Sequence, residues 1–349
     1  MATTAFGVNS PNAVKLWSRK LFREALKNTT MAQYMGEGSD SMIQVLNDTK
    51  KGPGDSIRYQ LRMQLSGAGV LGDGTLEGNE EALTVYTDTV LLDQLRHAVR
   101  SAGKMTEQRI PFSVREEARM GLQDWWADRI DTAIINQLCG VTAVSDVRLT
   151  GGNATVAPTA TTRFLISTGH ALETSVSTTE TMSLAYIDKL VATAKTSTPL
   201  IRPIMVNGNP HYILFLHPYQ VYNLRTSATA VQSWMDIQRA ALAGGKGDSS
   251  PIFTGALGIY NNVILVENTR MPLGLNSTTT RRALFAGAQS GVFAVGQDNS
   301  PEKMSWVEEV FDYENQLGVS AGMIFGVKKS VFNSTDFGTI VLSTYAAAP

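Results

Sequence analysis

Cysteine is nearly absent from this chain: Cys139 is the only one in 349 residues. That excludes an intrachain disulfide and a cysteine-rich zinc cluster. Ile134, Ile135 and Leu138 flank it, so the local pattern predicts a buried, inert thiol rather than a nucleophile. Histidine is scarce as well. His97, His170, His211 and His217 show neither His-x-x-x-His nor His-Glu-x-x-His spacing, which argues against a zinc hydrolase and for isolated structural roles. Long apolar runs are also missing. The opening MATTAFGVNSPNAVKLWSRK has no apolar core, so no secretory signal is expected. The longest stretch without Asp, Glu, Lys or Arg, Pro203 to Leu224, is broken by Asn207, Gly208, Asn209, Pro210, His211 and Pro218. A membrane span is not expected there, and the chain reads as one made in a reducing cytoplasm.

Charge is thin. Charged residues make up 17%, against about 25% in an ordinary soluble domain. Thirty basic and 31 acidic residues leave a formal charge of −1, so a globally basic nucleic-acid coat is excluded while local patches remain open. Hydrophobic residues reach 43%, enough for sizeable cores and incompatible with wholesale disorder. The length suggests roughly two or three domains. So weakly charged a surface points to one partly covered by neighbours.

The chain opens with a basic amphipathic pattern over residues 12–27. Lys15, Arg19, Lys20, Arg23 and Lys27 stand against one acid, Glu24. This is a solvated face over a packed stripe, or an arm lying on an acidic partner, a membrane or nucleic acid. After the turn-forming Lys51-Gly52-Pro53-Gly54-Asp55, Ile57, Tyr59, Leu61, Met63 and Leu65 alternate with Arg58, Gln60, Arg62, Gln64 and Ser66, the pattern of a half-buried strand. Gly67, Gly69, Gly72, Gly74 and Gly78 follow, and alternation resumes near Leu83 and runs toward Leu95. This predicts a long antiparallel hairpin with a glycine-rich tip, an arm of roughly 30 Å. Such a ribbon is marginal alone and needs support from its own chain or another subunit. Asp73, Glu77, Glu80 and Glu81 make the tip acidic, whereas Arg58, Arg62, Arg96, Arg100, Lys104 and Arg109 flank it. Opposite patches on one chain suit head-to-tail self-association.

Residues 113–139 carry the clearest helix. Val114, Ala118, Leu122, Trp126, Ile130 and Ile134 recur every four residues, giving a rod of about 39 Å. Ser113 and Glu116 suggest a capping box, and Gly140 a stop. The Trp125-Trp126 pair reads as core packing. A second helix is expected over Ser183–Thr196, another near Pro218 and another across Trp234–Leu242. Expected strands are Tyr212–Leu216, Val263–Glu267, Lys303–Asp312, Gly318–Val327 and Gly338–Ser343, with Gly244 to Ser250 a glycine-rich loop.

Chemical motifs fail on inspection. Gly67-Ala-Gly-Val-Leu-Gly72 matches G-x-G-x-x-G, but acidic, glycine-rich sequence follows where a dinucleotide site needs a helix. Gly244-Gly245-Lys246-Gly247 lacks the Ser or Thr and the spacing of a phosphate loop. The adjacent acids Glu116-Glu117 and Glu308-Glu309 read as surface charge, since neighbouring side chains diverge. No catalytic constellation, metal or cofactor is expected.

The order of elements is more informative. A basic arm, a long hairpin, a spine helix and a β-rich remainder with an inserted α/β lobe follow one another. This order resembles the major capsid protein of tailed bacteriophages, the α+β HK97-like fold. Tyr212 to Leu224, Gly255 to Glu267, Arg282 to Gln289, Phe311 to Asn315 and Gly326 to Lys329 resemble the branch typified by podovirus N4. The resemblance implies an N-terminal arm over 1–45, an extended loop over 46–105, a peripheral domain over 106–182 and 301–349, and an axial domain over 183–300. It implies self-assembly into hexamers and pentamers around double-stranded DNA, with portal, scaffolding or decoration proteins as further partners. Arg58, Arg62, Asp73, Glu77, Glu80 and Glu81 would lie between subunits, and Lys15, Arg19, Lys20 and Arg23 under the shell. Gly244, Gly245, Lys246, Gly247 and Asp248 would meet at capsomer centres. Lys50, Lys51 or Lys104 could supply a crosslink, but no glutamate can be assigned to catalyse one. A compartment shell of the encapsulin type and a phage or bacterial adhesin are the alternatives.

Overall fold

A computed structural model of the chain describes residues 29–47, 54–62, 65, 67–111, 113–160, 162–206, 208–226, 258–296 and 304–348. In chain order, β1 (Met35–Gly36) and β2 (Ile43–Leu46) precede a hairpin of β3 (Ser56–Arg62) and β4 (Val85–Leu91). Then come β5 (Asp93–Arg100), α1 (Lys104–Arg109), α2 (Val114–Leu138), β6 (Phe164–Ile166), α3 (Leu184–Thr196), β7 (Ile204–Val206), β8 (Asn209–Leu216) and α4 (Pro218–Thr226). The remainder is β9 (Ile259–Tyr260), β10 (Val263–Glu267), β11 (Thr280–Ala286), β12 (Gly291–Val295), β13 (Ser305–Phe311), β14 (Gln316–Lys329), β15 (Val331–Phe332), β16 (Thr335–Asp336) and β17 (Thr339–Tyr345).

The four-residue periodicity of α2 becomes its buried stripe. Leu122, Trp126 and Ile130 are fully buried, with Ala118 and Ile134 alongside. They pack on Phe293, Trp306, Met323, Phe325 and Val327 of a six-stranded sheet. That sheet runs β1-β2-β12-β14-β13, with β5 also on β14. The 14-residue β14 organises it, pairing with β5 and β13 along its first half and β12 along its second. Gly140, at φ +60, turns the chain out of the helix, a conformation glycine adopts without steric cost. The expected capping box does not form: Ser113 occupies the N-cap, but its side chain makes no capping hydrogen bond.

A second, seven-stranded sheet runs β6-β17-β11-β8-β10-β9, with β7 on β8. Ile187, Leu190 and Val191 of α3 and Val221 and Leu224 of α4 cover one face of it, over Leu214, Phe285 and Ile340. Phe215, Leu284 and Val341, from alternate positions, join the α2 core, so strand alternation links the two cores. The expected strands appear as β8, β10, β13, β14 and β17, with β10 matching end to end. The helix expected across Trp234–Leu242 and the basic pattern over 12–27 lie outside the described residues.

Candidate inter-subunit surface

The hairpin has a firm root and a bare tip. β3 and β4 pair from Ser56↔Leu91 to Arg62↔Val85. Leu65, the expected end of the first strand, is not in a strand; the described pairing runs to Arg62, and the returning strand divides at Leu92 into β4 and β5. The division has a cause: β5 leaves the ribbon and joins β14 in the six-stranded sheet. Ile57 and Val90 bury against Val292 and Ala294 on the sheet face opposite α2. Asp88 lies at the centre of the root. It accepts from the Tyr59 hydroxyl at 2.7 Å, from the Lys328 ammonium, and from the Val331 amide at 3.4 Å. Burial, and then the charge of Asp88, push the Tyr59 phenol far above its ordinary pKa, so it stays a neutral donor. Gly326 lets the end of β4 cross β14 closely, because a Cβ there would strike the Leu91 carbonyl.

Beyond Arg62 the hairpin touches little. Leu65, Leu71, Leu76 and Leu83 are all more than half exposed, Leu71 at 93%. Of the four tip acids, Glu81 accepts from the Gly67 amide at 2.6 Å and Glu80 from the Gly78 amide at 2.7 Å. These two shape the loop itself. Asp73 and Glu77 are exposed and make no hydrogen bond or ion pair among the described residues. Arg58 is exposed on β3. The side chain of Arg62, the arm residues Lys15, Arg19, Lys20 and Arg23, the loop Gly244 to Asp248, and Lys50 and Lys51 lie outside the described residues.

Sequence reading missed a bare sheet face. Antiparallel register puts Arg96, Ala98 and Arg100 of β5 beside Gly322, Ser320 and Gly318 of β14. Ser305, Val307 and Glu309 of β13 continue the row. The Arg100 guanidinium lies 4.2 Å over the Phe311 ring, and a Cβ on Gly322 would meet Arg96, so both arginines project on this face. The hairpin root covers the sheet only farther along, at β12, and Val307 stays 49% exposed. The result is a solvent-facing row in which Phe311 and Arg96 lie against Gly318 and Gly322, Arg100 stacks on Phe311, and Glu309 is exposed beside them.

Most buried charge elsewhere is paired, although the fully buried Arg163 donates to the Ser197 hydroxyl and the Pro199 carbonyl rather than to a carboxylate. Arg282 binds Glu173 through Nε at 2.9 Å and Nη2 at 2.7 Å. Lys329 meets Asp336 at 2.9 Å, both 1% exposed. Asp131, fully buried in α2, accepts from the Thr30 amide and hydroxyl and the Met31 amide, and pairs with Arg270. It fixes the chain where the N-terminal residues enter the core. Glu308 is not surface charge, because it is 2% exposed and bonded to Arg115 and the Trp306 indole, while Glu309 faces solvent. Glu116 and Glu117 are exposed, as expected.

Among the described residues, no three His, Cys, Asp or Glu side chains gather to hold a metal, and no helix is long and apolar enough to cross a membrane. Glu180 accepts from Thr168, Ser167, His170 and the Ser177 amide; chiefly the Thr168 bond lowers its carboxyl pKa to about 2. Cys139 is fully buried, and burial pushes its thiol up to about 12. Native protein at pH 8 is therefore expected to resist iodoacetamide, with the single adduct appearing by mass spectrometry only after denaturation. Rapid labelling of the folded chain would contradict this burial.

Known proteins share this architecture. A family model described as phage capsid protein matches residues 5–348. The major capsid protein of Pseudomonas phage KPP25 is 30% identical over 375 residues, spanning 95% of this chain and 94% of that protein. The capsid of Ralstonia phage GP4 superposes with a TM-score of 0.78 at 31% identity, covering 100% of this chain and 99% of that one. The capsid of cyanophage Pam1 shares the fold at a TM-score of 0.76 and 23% identity, each chain covered in full. With the hairpin, spine helix and two sheets in place, the chain belongs to the phage capsid protein family as a major capsid protein of the HK97-like fold.

Proposed function

We propose that copies of this chain self-assemble into hexamers and pentamers of an icosahedral shell enclosing double-stranded phage DNA, each hairpin lying across the bare sheet face of the next copy. The observation that carries the docking is a mismatch within one chain: the hairpin root is locked to its own core, while the tip presents exposed leucines and two unpaired acids. The sheet face carrying Arg96 and Arg100 supplies the complementary sign. One exposed ion pair contributes only about 0.2–1 kcal/mol. Burying four leucines adds more, and a closed shell repeats the contact many times.

The remaining assignments follow the same reading. Residues 1–45 form the arm, 46–105 the extended loop, 106–182 with 301–349 the peripheral domain, and 183–300 the axial domain. Lys15, Arg19, Lys20 and Arg23 face the genome or an adjacent subunit without sequence specificity, and Gly244 to Asp248 line capsomer centres. Arg58 and Arg62 pair with acids of neighbours. Portal, scaffolding or decoration proteins contact the assembled shell, which forms in the host bacterial cytoplasm.

Charge reversal tests the docking. Asp73→Lys with Glu77→Lys spares the two acids that shape the loop. It is expected to lower the shell fraction at least tenfold by light scattering and electron microscopy, leaving circular dichroism unchanged. Adding Arg96→Glu and Arg100→Glu is expected to restore shells. Normal assembly of the tip variant would refute the docking, and cargo enzyme in place of DNA inside particles isolated from infected cells would refute the genome-shell reading.

A further inference from the structure

A cleft of about 740 Å³ opens between the edge of the seven-stranded sheet and α3. Its two walls differ in chemistry. β6 is the terminal strand of that sheet, and Phe164, Leu165 and Ile166 make its wall apolar, with Ala171 beside them. The other wall is polar. Lys189, Thr193 and Thr196 recur on one face of α3, and Ser197 follows its last turn. Ile187, Leu190 and Val191 of the same helix turn into the core instead. Among the described residues, no aspartate or glutamate lines the cleft.

A buried cation stands behind the polar wall. Arg163 is fully buried; its Nη1 donates to Ser197 Oγ at 2.9 Å and its Nη2 to the Pro199 carbonyl. Asp336, whose negative charge it feels, is held by Lys329. Arg163 Nε has no partner among the described residues. Because Ser197 Oγ accepts from a cation, its own hydrogen is a polarised donor at the cleft, otherwise held only by a 3.4 Å bond to the Pro199 carbonyl. Lys189 adds a second positive charge, exposed and with its ammonium in no ion pair or hydrogen bond among the described residues. The remaining wall is shaped in advance. Thr168 lies at φ +53 and Gly169 at φ +84, and a β-branched residue in that region is a steric outlier of the kind found at ligand clamps. Glu180 holds this loop, accepting from the Ser167 and Thr168 hydroxyls and from His170 Nε2 at 3.0 Å. His170 lines the cleft, but its Nε2 is committed to Glu180.

We propose that this cleft binds a small amphiphilic anion, a carboxylate or sulfonate on an apolar body. The head group lies in the field of Lys189 and Arg163 and accepts from the Ser197 hydroxyl, while the body covers Phe164, Leu165 and Ile166. The volume falls within the range of roughly 300–1,000 Å³ usual for small-molecule sites. A buried arginine without a carboxylate partner makes the local potential positive, which selects for an anion. The apolar wall favours an amphiphile over bare inorganic phosphate, whose desolvation it would not compensate. The inference stands on the fold and does not depend on shell assembly.

The test titrates the unassembled full chain with anilinonaphthalene sulfonate, an aromatic anion whose fluorescence rises on binding. One saturable site per chain is expected, with octanoate displacing the probe far more readily than octanol of the same length. Lys189→Glu is expected to weaken binding at least tenfold and Ser197→Ala several-fold. Lys195→Glu, exposed on the same helix but outside the cleft, is expected to bind like the native chain. Ala171→Trp, at an exposed position, fills the cleft without entering the core and is expected to abolish binding with far-ultraviolet circular dichroism unchanged. Equal affinity of the native chain, Lys189→Glu and Ala171→Trp would overturn the site and put the probe elsewhere on the surface. Displacement by octanol as readily as by octanoate would overturn the preference for an anion, and absence of saturable binding would overturn the proposal outright.

Discussion

Arg282→Ala is expected to destabilise the folded chain by about 3–5 kcal/mol, among the largest single-residue effects available in this molecule. The guanidinium is 4% exposed and Glu173 is 3% exposed. Besides its two bonds to Glu173, Arg282 donates through Nη1 to the carbonyls of Cys139 at 3.1 Å and Gly140 at 3.0 Å. It thereby satisfies the end of α2 from a strand of the other sheet. Its Cζ also sits 5.3 Å from the Phe164 ring centroid on β6. Truncation removes all of this and leaves the Glu173 carboxylate buried with only the Ser343 hydroxyl and Leu275 amide as donors. A buried charge stripped of its partner is costlier than the pair was favourable. Arg282→Met combined with Glu173→Gln should therefore recover a substantial part of the loss. Urea denaturation of unassembled protein measures both, and a loss under about 1 kcal/mol for the single variant would show the network to be dispensable.

That network shows where sequence reading stops. Local periodicity carried the spine helix, the hairpin alternation and β10, because each is decided by residues within a few positions of one another. Glu173 and Arg282 are 109 residues apart, and Arg115 and Glu308 are 193 apart. A single chain read in order offers nothing to join them. One local signal existed: Arg281-Arg282 opens the apolar run Ala283 to Ala286, and a charge in a buried strand needs a partner. Alternation also held a hint for Glu308, since two adjacent strand residues face opposite sides and one of the pair had to turn inward. Ser113 shows the converse, a correct local pattern whose side chain is not used as a cap.

The candidate surface divides the same way. The acidity of the tip and its glycine content are compositional, so they were legible. The arginine-bearing sheet face was not, because it arises only when β5 leaves the hairpin and pairs with β14, setting Arg96 and Arg100 beside Gly322 and Gly318, more than 200 residues later in the chain. Composition supplied the low charge and the register supplied its distribution. The structure also separates the tip acids into two that build the loop, Glu80 and Glu81, and two, Asp73 and Glu77, that make no hydrogen bond or ion pair among the described residues.

The folded chain is expected to lose stability as pH falls from about 6.5 to about 4, through His217. This residue precedes α4 and is 7% exposed. Its Nδ1 accepts from the Tyr219 amide at 3.2 Å, a cap on the helix N-terminus that protonation abolishes. Burial first, and then the nearby Arg281 cation, lower its pKa to about 4. A positive charge at a helix N-terminus is disfavoured for the same reason. An unfolded histidine titrates near 6.5, so between these values the unfolded chain binds the extra proton. Unfolding free energy therefore decreases as pH drops through that window, and this group adds no further change below about 4 or above about 6.5. The total is on the order of 2 kcal/mol once partial solvent screening is allowed for. Glu180 acts in a separate window: its contribution is present above the ordinary glutamate range and disappears only as pH falls toward its folded value of about 2. His217→Asn keeps a side-chain acceptor for the cap and removes the titrating ring. Comparing melting temperature against pH for unassembled native and variant chains isolates the contribution of this one ring. The native curve should fall below the variant between pH 6.5 and 4 and run parallel to it elsewhere, and parallel curves throughout would remove His217 as the cause.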